Sequence, residues 1–286
     1  EMGLAILPPD INASMTSFTV EDGAIRFGLV AIKGVGLSVV EPVLAARERE
    51  GRFTSLSHVL RCLPSRSINQ KALECLAKAG CFDAFGITRK GIVDNLERLV
   101  DMTAREREQR EIGQGFLFDD MPSEGLEEEL RAAPHADRAE RQAWERDVLG
   151  FYLSGHPLQA FEDQLGRFAD CRIAELSERF VGGTEHATVG GLVTGLKVMA
   201  IKKEGRNHGR RLAVFRLEDA DAAVRVVAFP DVFESYERLL ADGVPVLVAA
   251  TLKGEGEHVE LMAEEIIALE GIDSRRASAL RIVLDL

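Results

Sequence analysis

The chain begins with a short alternation of apolar and polar positions. Phe18, Val20, Ile25 and Phe27 follow Pro8-Pro9-Asp10 and are interrupted by Glu21-Asp22-Gly23. Alternation on both sides of Asp-Gly predicts a hairpin turn, placed at the edge of a preceding domain. From Gly28 to about Val100 the spacing turns helical. Val39, Val40, Val43 and Leu44 share one face, Leu73, Leu76 and Ala77 a second, and Ile92, Val93, Leu96, Leu99 and Val100 a third. Thr88 stands where an N-cap of the last helix belongs, and Gly34, Gly36, Gly80, Gly86 and Gly91 punctuate the run. The pattern is that of several short helices joined by tight glycine turns.

The texture then changes twice. Asp101 to Asp147 holds 14 acidic residues and 7 arginines among 47, with few large apolar side chains outside Phe116-Leu117-Phe118, which predicts solvated helix or mobile linker. Apolar content returns over 148–180, and Val181-Gly182-Gly183-Thr184 marks a domain boundary. Beyond it, β-rich runs occur at Val189 to Val193, Leu212 to Leu217, Val224 to Phe229, Val244 to Leu252 and Val259 to Ile267. Between the third and fourth, Val232, Phe233, Tyr236, Leu239 and Leu240 keep helical spacing. Three strands, a helix and two strands is the order of an OB-fold, a small Greek-key barrel that often holds oligonucleotides; SH3-like and other five-stranded barrels share it.

Length and composition narrow the classes. The 286 residues suffice for about two domains, each with its own core. With 46% hydrophobic and 29% charged residues the chain has globular composition, and no apolar run approaches a membrane span. Cys62, Cys75, Cys81 and Cys171 form no Cys-x-x-Cys pair and the six histidines are scattered, so zinc has no ligand spacing and reduced, buried thiols are expected. Position 1 is Glu, and the first residues lack the basic start and apolar run of a signal peptide, so a piece of a longer cytoplasmic protein is expected. The net charge of −12 is uneven: 12 basic and 11 acidic residues fall in 1–100, 10 and 20 in 101–185, and 13 and 16 in 186–286. Any nucleic-acid contact must therefore be local.

Three segments have the chemistry for such contacts. Ile32-Lys33-Gly34-Val35-Gly36, followed directly by a helical pattern, has the form of a helix-hairpin-helix turn, in which backbone N–H groups and Lys33 meet a phosphate. A packing turn in a helical bundle reads the same way. Lys78-Ala79-Gly80-Cys81-Phe82, with Arg89 and Lys90 before another helix, makes a second such turn, and a pair would grip both strands of a duplex. Gln114-Gly115-Phe116-Leu117-Phe118 is an apolar island that suits docking into a partner's pocket, or folding back onto its own domain. Lys197, Lys202, Lys203, Arg206, Arg210 and Arg211 lie in the expected loop between the first two strands, beside Phe215 and Phe229 as base-stacking candidates. A solvated loop over buried phenylalanines is the alternative. Asp219 and Asp221 form an Asp-x-Asp pair in an expected turn, where turn chemistry accounts for them; no phosphate-binding loop, nucleophile elbow or other active-site pattern occurs. The expected fold class is a mainly α helix-hairpin-helix domain followed by an all-β OB-fold barrel with one helix.

Several phrases resemble the C-family replicative polymerases, the alpha subunits of bacterial DNA polymerase III. They are Leu7-Pro8-Pro9-Asp10-Ile11-Asn12, Phe27-Gly28-Leu29 through Gly36, Leu76-Ala77-Lys78-Ala79-Gly80-Cys81-Phe82-Asp83, the highly specific Leu149-Gly150-Phe151-Tyr152-Leu153-Ser154-Gly155-His156-Pro157-Leu158, and Leu217-Glu218-Asp219. The resemblance implies that 1–30 ends a fingers domain and that 31–104 is a tandem helix-hairpin-helix domain for duplex DNA, with Lys33, Gly34, Val35, Gly36, Gly80, Arg89 and Lys90 as its contacts. It implies that 105–147 is an acidic linker whose Gln114, Leu117 and Phe118 dock on the β sliding clamp, and that 148–185 is a helical connector. It makes 186–271 an OB domain facing single-stranded template, and 272–286 a linker and the start of a tail domain. The family's catalytic aspartates match no position here, so no catalytic residue, metal or cofactor is expected in this chain; magnesium is expected for the parent DNA-directed DNA polymerase. Implied partners are duplex and single-stranded DNA, the clamp and other holoenzyme subunits, with no membrane. The alternative is an accessory or repair protein combining the same modules. An NAD-dependent DNA ligase would be one, but the zinc-binding cysteine cluster and adenylation lysine motif it requires are not visible.

Overall fold

The computed structural model describes residues 5–64, 67–111, 121–176, 185–202, 205–255 and 258–272. It divides into two compact units, Glu1–Gly155 and His156–Leu286. The division falls inside the stretch 148–185 that the sequence presents as one connector. Among the described residues no helix is long and apolar enough to cross a membrane.

The first unit opens with a small sheet in the order β1 (Ile6–Leu7), β3 (Ala24–Arg26), β2 (Thr19–Glu21). Strands β2 and β3 are antiparallel, and Asp22 at φ 50° and Gly23 at φ 82° form the turn that Asp-Gly favours. Helices α1 (Leu37–Glu50), α2 (Leu56–Cys62), α3 (Gln70–Ala79), α4 (Arg89–Asp94), α5 (Leu96–Glu111), α6 (Met121–Ala132) and α7 (Arg138–Leu149) follow. Ser55, Asn69, Thr88 and Asp137 start α2, α3, α4 and α7 by accepting backbone N–H bonds from His58, Ala72, Gly91 and Glu140. The helices close on one core that includes Ile11, Leu29, Ile32, Phe53, Leu73, Leu76, Phe82 and Ile92.

The acidic stretch departs from its expected character. Leu126 and Leu130 of α6, and Val148 and Leu149 of α7, are buried in that same core. The Leu130 carbonyl accepts both the N–H and the hydroxyl of Thr88. The described part of 105–147 therefore includes helix docked on the domain rather than free linker alone. A few apolar residues one turn apart, set among many charges, make a narrow stripe that average composition conceals.

The second unit carries α8 (Glu162–Phe168) and then β4 (Glu185–Ala200), β5 (Arg211–Glu218), β6 (Ala223–Ala228), α9 (Pro230–Tyr236), β7 (Pro245–Glu255) and β8 (His258–Ala268). The five strands form a closed barrel in the order β4-β5-β6-β8-β7, with β6 and β8 parallel and the other pairs antiparallel, consistent with an OB fold. Val189, Val193, Phe215, Leu217, Val226, Val248 and Leu261 fill the interior with Phe233 of α9. Strand β4 is much longer than the run Val189 to Val193 that marks it in sequence. It pairs with β7 over Glu185–Leu192 and with β5 over Leu192–Ala200, with an irregularity between Thr194 and Lys197. Past that point its side chains are mostly exposed, so no apolar alternation betrays the strand.

If α6 belongs to the core, Leu130→Ala should cost the first unit about 2–5 kcal/mol, the range for truncating a buried leucine. Chemical denaturation would read this as a lowered midpoint; an unchanged midpoint would detach α6 from the fold.

Candidate nucleic-acid interface

Residues Ile32 to Gly36 join a 3₁₀ turn, Leu29–Ala31, to α1. Ile32 and Val35 are buried and anchor the loop, while the Lys33 side chain between them is 78% exposed. Gly34 has φ 87°, and a Cβ there would lie 2.8 Å from the Sγ of Cys75. Both the left-handed backbone and the close approach require glycine. The Lys33 N–H donates to the Val148 carbonyl at 2.8 Å, which fixes the loop to the end of α7. Helix α1 starts at Gly36 with no side-chain cap. The Val39 and Val40 N–H groups donate to the Gly36 carbonyl, which leaves those of Leu37 and Ser38, with the positive end of the helix dipole, as a donor set for an anion. The Lys33 ammonium lies 3.6 Å from the exposed Asp147 carboxylate, an ion pair weak enough to exchange for a phosphate.

The second expected turn is built differently. Gly80, at φ 88°, ends α3, and the N–H groups of Gly80 and Cys81 donate to the Ala77 and Leu76 carbonyls. The space beside it is filled: a Cβ would lie 2.4 Å from the Arg89 guanidinium and 2.9 Å from the Asp83 carboxylate. Arg89 donates to Asp83 at 2.7 Å and to the Lys78 carbonyl at 3.1 Å, and reaches Glu145, whose side chain is 1% exposed, at 3.5 Å. Burial works against the Arg89 cation, but the Asp83 and Glu145 carboxylates outweigh it and hold its pKa above the ordinary value. Lys90 pairs with Glu140 at 2.7 Å, and Thr88 already caps α4. Arg89 and Lys90, expected at a duplex, are thus turned onto the domain's own carboxylates. Of the two hairpins, the first presents an uncapped helix start beside a mostly exposed cation.

The barrel redistributes its expected cations in a similar way. Lys197 lies on β4 rather than in the loop, and Lys202 and Arg206 are exposed. Arg210 pairs with Glu234 at 2.9 Å and Asp231 at 2.7 Å, which raise its pKa. Arg211 pairs with Glu237 at 2.9 Å and lies over the Phe233 ring. Of the two base-stacking candidates, Phe215 is 1% exposed inside the barrel, as the alternative of a buried phenylalanine has it, whereas Phe229 is 45% exposed. Asp219 is committed to its turn: Oδ1 accepts the N–H groups of Asp221 and Ala222, and Oδ2 that of Ile173. Among the described residues no group of three or more His, Cys, Asp or Glu is placed to hold a metal ion. Gln114, Leu117, Phe118 and Lys203 lie outside the described residues.

The helix-hairpin-helix motif family matches residues 3–92. The DNA polymerase III alpha subunit of Deinococcus radiodurans is 36% identical over 281 residues, covering 94% of this chain and 20% of its own length. That of Thermus aquaticus is 36% identical over 273 residues, 95% of this chain and 21% of its own length. That of Vibrio cholerae is 29% identical over 287 residues, 98% and 24% respectively. This chain is related to the DNA polymerase III alpha subunits. It spans about a fifth of the length of the first two of these relatives. The solved asparaginyl-tRNA synthetase of Pyrococcus horikoshii covers 34% of the chain at 18% identity with a TM-score of 0.26, too slight a likeness to bear on the fold.

The relationship to polymerase III alpha takes in both units, and the motif match includes both Gly34 and Gly80. Sequence reasoning missed Arg216 and Arg225. They stand directly opposite each other on β5 and β6, exposed on the outer wall. Their signal was alternation, since each is an outward position between inward apolar neighbours.

Two substitutions separate the hairpins. Gly34→Ala should cost about 1–2 kcal/mol for its left-handed backbone, beyond the displaced Cys75 thiol, with the loss read by thermal unfolding. Arg89→Ala should cost more, about 3–5 kcal/mol, because it leaves Glu145 buried without its cation. Restoration by a second change, Glu145→Gln, would mark the loss as electrostatic; a near-neutral Arg89→Ala would return Arg89 to the surface.

Proposed function

We propose that this chain is the DNA-holding and clamp-holding segment of a replicative polymerase. The observation that carries the reading is the Lys33–Gly36 hairpin, where an uncapped helix start, a left-handed glycine and an extended lysine converge on what a duplex phosphate needs. Such a contact reads the backbone and not the bases, which suits a protein that must slide along any sequence. The barrel, with exposed Lys197, Lys202, Arg206 and Phe229 on and beside its first loop, supports a second role in holding the single-stranded template. The peptide at Gln114, Leu117 and Phe118 docks on the β sliding clamp in this reading and keeps the polymerase on its template.

The polymerase reaction and its magnesium belong, in the same reading, to the longer polypeptide, working in the cytoplasm with the other holoenzyme subunits. The residues described here bind and position. Asp219 and Asp221 do not suit a catalytic metal, because Asp219 spends its oxygens on backbone N–H groups.

The test is titration of the chain with the sliding clamp of its own organism. Replacing Gln114, Leu117 and Phe118 together with alanine should abolish binding while leaving the unfolding midpoint and duplex affinity unchanged. Equal clamp affinity for the wild type and the variant would remove the peptide from the reading; absence of duplex binding by the wild type would remove the hairpin.

A further inference from the structure

Strand β4 outlasts the barrel. It pairs with β7 only as far as Leu192, opposite Pro245 at the start of β7, yet it stays paired with β5 from Leu192 to Ala200. The passage is marked by an irregularity between Thr194 and Lys197, with Gly195 at φ 61°, the kind of bend a bulge introduces. Beyond it Lys197–Ala200 keep β5 on one side and, among the described residues, have no strand on the other. Antiparallel pairing turns alternate residues toward opposite neighbours. The Val193 N–H and carbonyl bond to Val244 and Gly243, away from β5, whereas those of Ile201 bond to Arg210 and Gly209, toward it. By that alternation Met199 and Lys197 face β5, and Val198 and Ala200 present N–H and C=O to the open side. The Leu196 N–H, on the same side as theirs, is taken by the Asp242 carboxylate at 3.0 Å, which closes the barrel end of the edge. Val198 and Met199 are 45% and 46% exposed. A bulge and a lysine are ordinary means of blunting a free edge, but exposed apolar side chains on both faces of the ribbon work against them.

We propose that this edge of β4 takes an added strand, an extended peptide of a partner protein in which acidic and apolar residues alternate. An added strand draws affinity from main-chain hydrogen bonds to the edge and specificity from its alternate side chains. On one face a carboxylate stands beside Lys197, with Lys202 and Arg206 exposed just beyond, a local excess of cations on a chain whose net charge is −12. On the other face an apolar residue covers Val198. A nucleic acid suits the cations but not the edge: phosphates only accept hydrogen bonds, and the Val198 and Ala200 carbonyls need donors. A second copy of the chain suits the edge but brings the Lys197 residues of both onto one ribbon. Nothing in this pairing depends on the polymerase reading.

The experiment titrates the full 286-residue chain with a labelled peptide alternating valine and glutamate, with the same peptide N-methylated on its valines or on its glutamates, and with labelled oligothymidylate. The unmodified peptide should bind. Methylation of one alternate set should abolish binding and methylation of the other should spare it, because only one set faces the edge; equal affinities for the two methylated forms would overturn the proposal. Val198→Pro removes a donor on the open side and spares the ladder to β5, so it should weaken the peptide about fivefold, the loss of one backbone hydrogen bond, with little change in the unfolding midpoint. Met199→Pro, whose N–H faces β5, should lower that midpoint clearly. Lys197→Glu should shift the preference to a peptide alternating valine and lysine. Peptide binding without oligothymidylate binding would uphold the edge and remove the single-strand reading. Oligothymidylate binding without peptide binding would give these residues to nucleic acid, and a dimer that Val198→Pro dissociates would give them to a second copy; either result overturns the proposal.

Discussion

A carboxylate removed from water must find its cation, and in the helical unit that requirement falls on Glu145. Its side chain is almost wholly buried, and Arg89 meets it from one side while the Ser154 N–H and hydroxyl donate from the other. Arg89 is itself bound to Asp83 and to the end of α3. One buried charge thus ties α3, the start of α4, α7 and the loop after α7 into a single arrangement. The hairpin inherits its position from there, because the Lys33 N–H donates to Val148 at the end of α7. The surface that faces DNA in the proposed reading is positioned by contacts that lie well behind it.

The two glycine turns show how similar sequence patterns diverge. At Gly34 the backbone turns left-handed against a thiol, the following helix is uncapped, and the adjacent lysine projects outward. At Gly80 the same backbone region ends a helix, its N–H groups are consumed by α3, and an arginine fills the space a ligand would need. What separates them is the use made of backbone donors: an anion is held by N–H groups left over, not by those spent on capping.

The barrel is governed by closure. Within the barrel no strand edge is left open, because β4 pairs with both β7 and β5, which draws β4 out well beyond its apolar segment. Closure also sorts the charged residues by face. Arginines at the start of β5 fold onto α9, while those in the middle of β5 and β6 stand outward on the wall. Membership of a loop is therefore a poorer guide to where a charge points than position in the register.

The sequence by itself determined the local order: the Asp-Gly hairpin, the N-cap at Thr88, the glycine turns, and three strands, a helix and two strands in a barrel. These depend on residues adjacent in the chain or on a fixed period, and the phrases around Gly34 and Gly155 likewise suffice for the resemblance. Only the tertiary structure decided which polar groups are left for a partner. Arg89 and Lys90 look like contacts until Glu145 and Glu140 arrive from more than fifty and exactly fifty positions away in sequence terms, respectively, at their side. Phe215 and Phe229 look alike until the inward pleat takes one and leaves the other, and Arg216 comes opposite Arg225 only once β5 and β6 pair. Ion pairing, burial and register are relations between distant segments, and the period of a single segment does not encode them.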